Sequence, residues 1–383
     1  MSRLSLPRTK PLRVLMISKA LVVGAYQRKL EAIAAHPNIE LMAIAPPAWR
    51  DERGWLRLEK AHTNGYILAV EPVLLNGNFH LYTYPSLARR INAYRPHLVH
   101  VDEEPYNLAT YQAVRLARRI GAKTLFFSWQ NIARRYPPPF SWMERWVLRH
   151  VDYGIVGNRE AVDVWRSKGY AGPLAIIPQF GVDPTLFSPT PTPHHDDVFT
   201  IGYAGRLVEE KGLEVLIRAL ARVPGRIHLS IAGDGPLRDD LLRLAGLHNI
   251  GGSVSMVGPL PSAAMPDFYR RLDALVLPSL TRPNWKEQFG RVLIEAMACG
   301  VPVIGSDSGA IPEVIGDAGI IVPEGNLEAL QAALSSLIER PRLRQQLAEA
   351  GRRRVLERYT QAHIAAQTVV VYREMAGEAA VGG

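Results

Sequence analysis

Short β-branched and aliphatic runs alternate with helical periodicities along the whole chain, in two series separated by a proline-rich break. Alternation of this kind encodes strand, crossover helix and parallel strand, so each series is expected to build a parallel sheet with helices packed on it. The first series places strands near residues 12–18, 39–45, 98–102, 123–128 and 153–157. The pattern stops at Pro178, and a stretch with Pro184, Pro189, Pro191, Pro193, His194, His195, Asp196 and Asp197 reads as a linker. The second series places strands near 198–204, 227–232, 253–257, 274–277 and 301–305, and closes with helical segments from Asn326 to about Ala376. The expected class is α/β, with two Rossmann-like doubly wound domains facing across a cleft, over residues 1–181 and 182–359. Ligands of such sheets bind beyond the carboxyl ends of the strands, which confines the search for a site to strand-to-helix turns.

Composition removes several alternatives. A single cysteine, Cys299, excludes a disulfide framework and a cysteine-rich zinc site, and suits a reducing compartment such as the cytoplasm. No apolar run approaches the ~20 residues of a membrane span. Arg13 and Lys19 also interrupt the first apolar stretch, which argues against a secretory signal. The net charge of +9 is unevenly placed: residues 1–181 carry 25 Lys and Arg against 13 Asp and Glu, and the remainder carries 20 against 23. A basic half suggests a polyanionic partner, an anionic membrane surface or a nucleic acid, although solvated basic helix faces give the same count.

Three turns of the second series carry chemistry. The first is Gly205-Arg206-Leu207-Val208-Glu209-Glu210-Lys211-Gly212. There Gly205 permits a close bend, Arg206 offers a planar fork for phosphate oxygens, and Lys211 adds a point charge. Its spacing is not that of a P-loop. The second is Gly233-Asp234-Gly235-Pro236, weak alone but adjacent in the sheet.

The third and strongest is Glu287-Gln288-Phe289-Gly290-Arg291-Val292-Leu293-Ile294-Glu295-Ala296-Met297-Ala298-Cys299-Gly300. Gly300 marks a helix end, which puts the first turn at Gly290 and Arg291 and leaves Glu287 just outside. Amide N–H groups from Phe289 to Val292 and the positive end of the helix form an anion site. Glu295 lies roughly 7 Å along the helix, about the distance from a diphosphate to a ribose diol.

These blocks, together with Leu277-Pro278-Ser279, resemble those of the retaining nucleotide-sugar glycosyltransferases of family 4, closely over residues 200–360 and loosely before. The resemblance implies the GT-B fold, with the donor held mainly by the second domain and the last helix, about 360–376, returning to the first. It implies that Arg206 and Lys211 hold the donor diphosphate, that Glu295 takes the ribose hydroxyls, and that Glu287 meets the transferred sugar. The glycines Gly205, Gly233 and Gly235, with the amides of Phe289, Gly290 and Arg291, complete the donor site. The chain has no Asp-x-Asp sequence, so no metal and no cofactor is expected.

The first half departs from the family pattern. Its first loop has only Gly24, and the later strand runs Val99-His100-Val101-Asp102-Glu103-Glu104-Pro105 with His100 expected along the strand. Glu103 or Glu104 stands where the family carries a histidine near the sugar or acceptor, and serves equally well as a helix-start charge before Pro105.

Phe126, Phe127, Trp129, Tyr136, Phe140, Trp142 and Trp146 lie among Arg134, Arg135, Arg145 and Arg149. Most such rings belong to a core, and any exposed ones suit a lipid headgroup layer better than nucleic acid. The expected activity is transfer of a hexose-type sugar from a nucleoside diphosphate to a lipid-linked or polysaccharide-precursor acceptor, with nucleic acid excluded as a partner. The expected location is cytoplasmic, with peripheral attachment to the inner face of the membrane. An epimerase of the same fold, or a non-catalytic nucleotide-sugar-binding protein, are the alternatives.

Overall fold

A computed structural model of the chain describes residues 10–51, 54–189 and 198–377. The linker residues Pro191, Pro193, His194, His195, Asp196 and Asp197 lie outside that range. The chain divides into two compact units, one of Met1–Phe180 with Gln361–Gly383 and one of Gly181–Thr360.

The strands are β1 (Leu12–Ile17), β2 (Ile39–Ala45), β3 (Ala48–Asp51), β4 (Gly54–Arg57), β5 (Ile67–Val70), β6 (Leu98–Val101), β7 (Lys123–Ser128), β8 (Tyr153–Val156) and β9 (Leu174–Ile176) in the first unit. The second unit has β10 (Phe199–Ala204), β11 (Ile227–Ala232), β12 (Val254–Gly258), β13 (Ala274–Leu277), β14 (Val303–Ser306) and β15 (Ile320–Val322). Helices of the first unit are α1 (Arg28–Ala34), α2 (Leu87–Tyr94), α3 (Leu108–Arg119), α4 (Phe140–His150) and α5 (Arg159–Ser167). Those of the second are α6 (Leu213–Leu220), α7 (Arg238–Leu247), α8 (Met265–Tyr269), α9 (Arg291–Ala298), α10 (Ile311–Ile315), α11 (Leu327–Glu339) and α12 (Pro341–Arg358), and α13 (Gln361–Ala376) packs with the first.

The first sheet is ordered β5-β2-β1-β6-β7-β8-β9 and the second β12-β11-β10-β13-β14-β15, with every pairing parallel. Buried on both faces, such strands need continuous apolar runs, and Val14 to Ile17 are fully buried. Each such side chain contributes about 1.5–3 kcal/mol by leaving water. In both sheets the order reverses beside the first strand, between β1 and β6 and between β10 and β13, and a crevice opens at that switch point.

Short elements escape a sequence reading. Strand β9 has three residues, β15 three and β5 four, too few to show a period. Strands β3 and β4 form an antiparallel ribbon outside the main sheet, in a charged stretch that reads as loop. Helix α13 lies on α1 and buries Ile364, Ala365, Val369 and Tyr372 in the first unit.

Candidate active site

In the second unit β10 and β11 end in glycine turns that touch back to back. Gly205 and Gly233 have φ of +151° and +143°, and a Cβ on Gly233 would stand 1.9 Å from the Gly205 carbonyl oxygen. The turns are tied by Gly205 N–H to Ala232 O at 2.9 Å and Leu207 N–H to Asp234 O at 3.0 Å. Gly235 packs on the Leu207 backbone. Arg206 is exposed at the tip of its turn, where its carbonyl accepts from the Tyr203 hydroxyl at 2.8 Å.

Lys211 lies in the 3-10 turn Glu209–Lys211 before α6, and Glu287 in the loop after β13. The Lys211 ammonium donates to Glu287 Oε2 at 2.6 Å, and Ser279 Oγ donates to the same oxygen at 3.0 Å. Trp285 lies beneath the ammonium, 4.7 Å to the ring centroid. The main chain of Glu287 is clamped by Ala310, whose N–H reaches its carbonyl at 3.0 Å. Two residues 76 apart in sequence thereby form a mostly buried ion pair at the switch-point crevice.

Helix α9 starts after Gly290, whose φ of +75° turns the chain into it. The N–H groups of its first turn emerge next to that glycine, the arrangement that attracts an anion. Phe289 is buried with its ring edge-on to Tyr359. Arg291 Nε is 2.8 Å from Glu295 Oε1, and the Tyr269 hydroxyl donates to Oε2 at 2.7 Å. Burial, and then the Glu295 charge, push the Tyr269 hydroxyl well up, so it remains the donor. Glu295 is therefore oriented from both sides. Tyr269 has no signal in the sequence.

In the first unit Lys19 follows β1 and Glu103 follows β6, on either side of the switch point. Lys19 pairs with Glu103 through its ammonium and also through its N–H, which meets Oε1 at 2.8 Å. The rings of Trp49, Phe79 and Tyr82 lie 5.3–5.7 Å from the same ammonium. Glu104 faces the other way, with Ser128 Oγ donating to Oε2 at 2.6 Å and Trp129 N–H to Oε1 at 2.8 Å. Burial raises its carboxyl to about 7 against the pull of those two hydrogen bonds.

Two expectations change. Gly24 donates its N–H to Glu59 at 2.8 Å, and a Cβ there would meet Ala61 at 2.8 Å, so it is packed inside the unit and not presented to a diphosphate. His100 does not point only along its strand, where its Nε2 lies 3.7 Å from Asp102 Oδ1. Its Nδ1 is 2.7 Å from the Tyr372 hydroxyl, and burial lowers the imidazole to about 3, so it joins α13 to the sheet as a neutral group.

The basic aromatic stretch also divides. Phe126 and Phe127 are core, and Trp146 stacks on His150, whereas Trp142 is 60% exposed and Arg134, Arg135, Arg145 and Arg149 are exposed as well.

Residues 187–354 match the family described as "Glycosyl transferases group 1". Over 88% of its length the chain is 26% identical to a GDP-mannose-dependent alpha-(1-6)-phosphatidylinositol monomannoside mannosyltransferase of Mycolicibacterium smegmatis, covering 91% of that protein. Phosphatidyl-myo-inositol mannosyltransferase from the same organism is 31% identical over 60% of each chain. The second unit thus matches the group 1 glycosyl transferases, and the chain has the GT-B fold of its solved neighbours.

Solved structures agree on the fold. Sucrose-phosphate synthase from Thermosynechococcus elongatus superposes with a TM-score of 0.70 at 22% identity, over 95% of this chain and 99% of that one. Anabaena HepE in complex with UDP and glucose gives 0.69 at 17%, over 95% and 100%. Relatives matched over a shorter span include glycogen synthase of Mycobacterium tuberculosis, 34% identical over 44% of this chain and 41% of that protein. In this glycosyltransferase the family match lies within the second unit, the one that carries the Lys211–Glu287 pair and the start of α9. Among the described residues no group of three or more His, Cys, Asp or Glu is placed to hold a metal ion.

Proposed function

We propose that this glycosyltransferase moves a hexose from a nucleoside diphosphate to a lipid-linked or polysaccharide-precursor hydroxyl, with retention at the anomeric carbon and without a metal. The observation that carries the reading is the Lys211–Glu287–Ser279 group at the switch point of the second sheet, beside the start of α9. Cleavage of the sugar–phosphate bond concentrates negative charge on the departing diphosphate. Donors already in place for that charge, Lys211, Arg206 and the first-turn amides of α9, lower the barrier most. Glu287 then takes sugar hydroxyls and Glu295 the ribose. The departing phosphate oxygen receives the acceptor's proton on the face from which it leaves, which gives retention.

The mannosyl relatives make GDP-mannose the first donor to try. A donor screen that follows release of nucleoside diphosphate tests the reading, with GDP-mannose, UDP-glucose and their congeners, each with and without chelator. Turnover with one donor, largely unchanged by chelator, is expected. Epimerised donor with no diphosphate released points to the isomerase alternative. Activity abolished by chelator and restored by Mg²⁺ or Mn²⁺ counts against the metal-free mechanism.

A lipid-linked acceptor agrees with the lipid named for two relatives and with the exposed face of α4. Among the described residues no helix is long and apolar enough to cross a membrane. Arg145 and Arg149 follow the exposed Trp142 by three and seven residues along α4, Arg134 and Arg135 are exposed in the loop before it, and each cation near an anionic leaflet contributes about 1 kcal/mol. The protein is expected to sediment with anionic vesicles at low salt, to be released at high salt, and to lose binding when the four arginines become Glu. Indifference of the wild type to anionic vesicles at low salt removes this support.

A further inference from the structure

Four rings of the first unit gather where β6 and β7 end. Tyr106 and Tyr136 lie with centroids 4.4 Å apart and planes at 33°. The His80 ring is 5.4 Å from Tyr106, 5.5 Å from Tyr136 and 5.1 Å from Phe140. The cluster draws on three separate segments that are tied together. Leu108 N–H donates to the His80 carbonyl at 2.9 Å, which holds the 80s loop against the start of α3. Lys168, paired with Glu144 at 2.6 Å, donates to Gln130 at 2.9 Å and lies over the Tyr136 ring at 5.2 Å. Gln130 in turn donates to the Tyr136 hydroxyl at 3.3 Å.

All four rings are half-buried, so the fold fixes their positions without enclosing them as it encloses Tyr82 or Tyr170. Glu104, two residues before Tyr106 in the chain, is turned toward β7. Its two oxygens are held by Ser128 and Trp129.

These rings have an apolar face and a polar rim of two phenols and an imidazole. Acyl chains favour dry aliphatic walls. A saturated ring with C–H bonds on its faces and hydroxyls around its edge matches a half-wet aromatic platform with a polar rim. Rings with few rotatable bonds also lose little entropy when a ligand settles on them.

We propose that Tyr106, Tyr136, His80 and Phe140 form an acceptor subsite for a hydroxylated six-membered ring, a pyranose or a cyclitol. The inference rests on the reading of the chain as a transferase with a hydroxyl acceptor, and it assigns the acceptor's recognition to its ring and not to its lipid.

Saturation-transfer NMR on the full chain tests it, with methyl α-D-mannopyranoside and myo-inositol as ring probes and hexanol as the chain probe. GDP and UDP binding is measured in parallel on every variant. Ring-proton signals are expected for at least one ring probe at about 10 mM, the range for a single weak subsite. Tyr106→Ala and Tyr136→Ala each weaken that probe roughly tenfold, while Tyr136→Phe stays close to wild type. Nucleotide affinity is unchanged in all three variants. The proposal is overturned if hexanol alone gives signals, if neither ring probe binds the wild type, or if both alanine variants bind the ring probe as the wild type does. It is also overturned if the alanine variants lose ring and nucleotide binding together, because the effect is then general and not local to a subsite. Loss of GDP and UDP binding in the wild type, with ring-probe binding intact, counts instead against the donor reading.

Discussion

Lys211→Ala lowers kcat/KM for the donor by roughly 2–4 kcal/mol, about 30- to 1000-fold, the range for removing one preorganised stabiliser of developing negative charge. The geometry explains a figure at the upper end. The ammonium is 2.6 Å from Glu287 Oε2, with both side chains mostly buried, and Trp285 packs beneath it. Its removal takes a cation from the proposed diphosphate site and also leaves a buried carboxylate without its counter-charge. Arg206 is exposed, so Arg206→Ala is expected to cost less. Glu287→Gln keeps the shape and a hydrogen bond to Ser279 and removes the charge, and its effect is expected chiefly on kcat. Steady-state kinetics with the donor found by the screen, together with a melting curve for each variant, separates chemistry from folding. Wild-type kcat/KM in Lys211→Ala refutes the donor assignment.

The second unit was legible because its site is written in local turns. Gly205, Lys211, Gly233 and Gly290 each follow a recognisable strand or open a recognisable helix, so spacing alone placed them at one sheet edge. What spacing withheld was the partner of each residue. Ser279 and Lys211 meet Glu287 from 8 and 76 residues away, and Tyr269 reaches Glu295 from the short helix α8. Contacts of that kind depend on how elements pack, and no period records them.

The first unit was harder for the same reason, more strongly expressed. Glu103 and Glu104 are neighbours in sequence, yet one turns to Lys19 and the other to Ser128 and Trp129, a division set by β1 and β7 flanking β6. Gly24 looked like a donor glycine because the family places glycines in that loop, whereas here the space beside it is filled by Ala61 and Glu59. His80 carried no signal at all, since its ring partners come from segments 26 and 56 residues further along.

Gly233→Ala is expected to destabilise the second unit by about 3 kcal/mol or more, the scale of overpacking combined with a strained backbone. Two costs combine at this position. A φ of +143° is one that side chains rarely adopt, and the added methyl would stand 1.9 Å from the Gly205 carbonyl oxygen. Neither turn can easily retreat. Gly233 N–H is bound to Gly258 O at 2.8 Å and Gly205 N–H to Ala232 O at 2.9 Å, so each glycine is anchored in the sheet that the clash would have to spread. Gly225→Ala supplies the control, because its φ of +114° carries backbone strain while nothing lies within 4 Å of the added methyl. That variant is expected to lose only about 1–2 kcal/mol, the cost of a side chain on a left-handed backbone. The difference between the two melting temperatures, measured on the full chain, isolates the contact between the glycine turns. Because Gly205 leads directly into Arg206 and Lys211, Gly233→Ala should also weaken nucleotide binding at temperatures where the unit remains folded. Equal melting temperatures for the two variants contradict the back-to-back packing on which the proposed donor site is built.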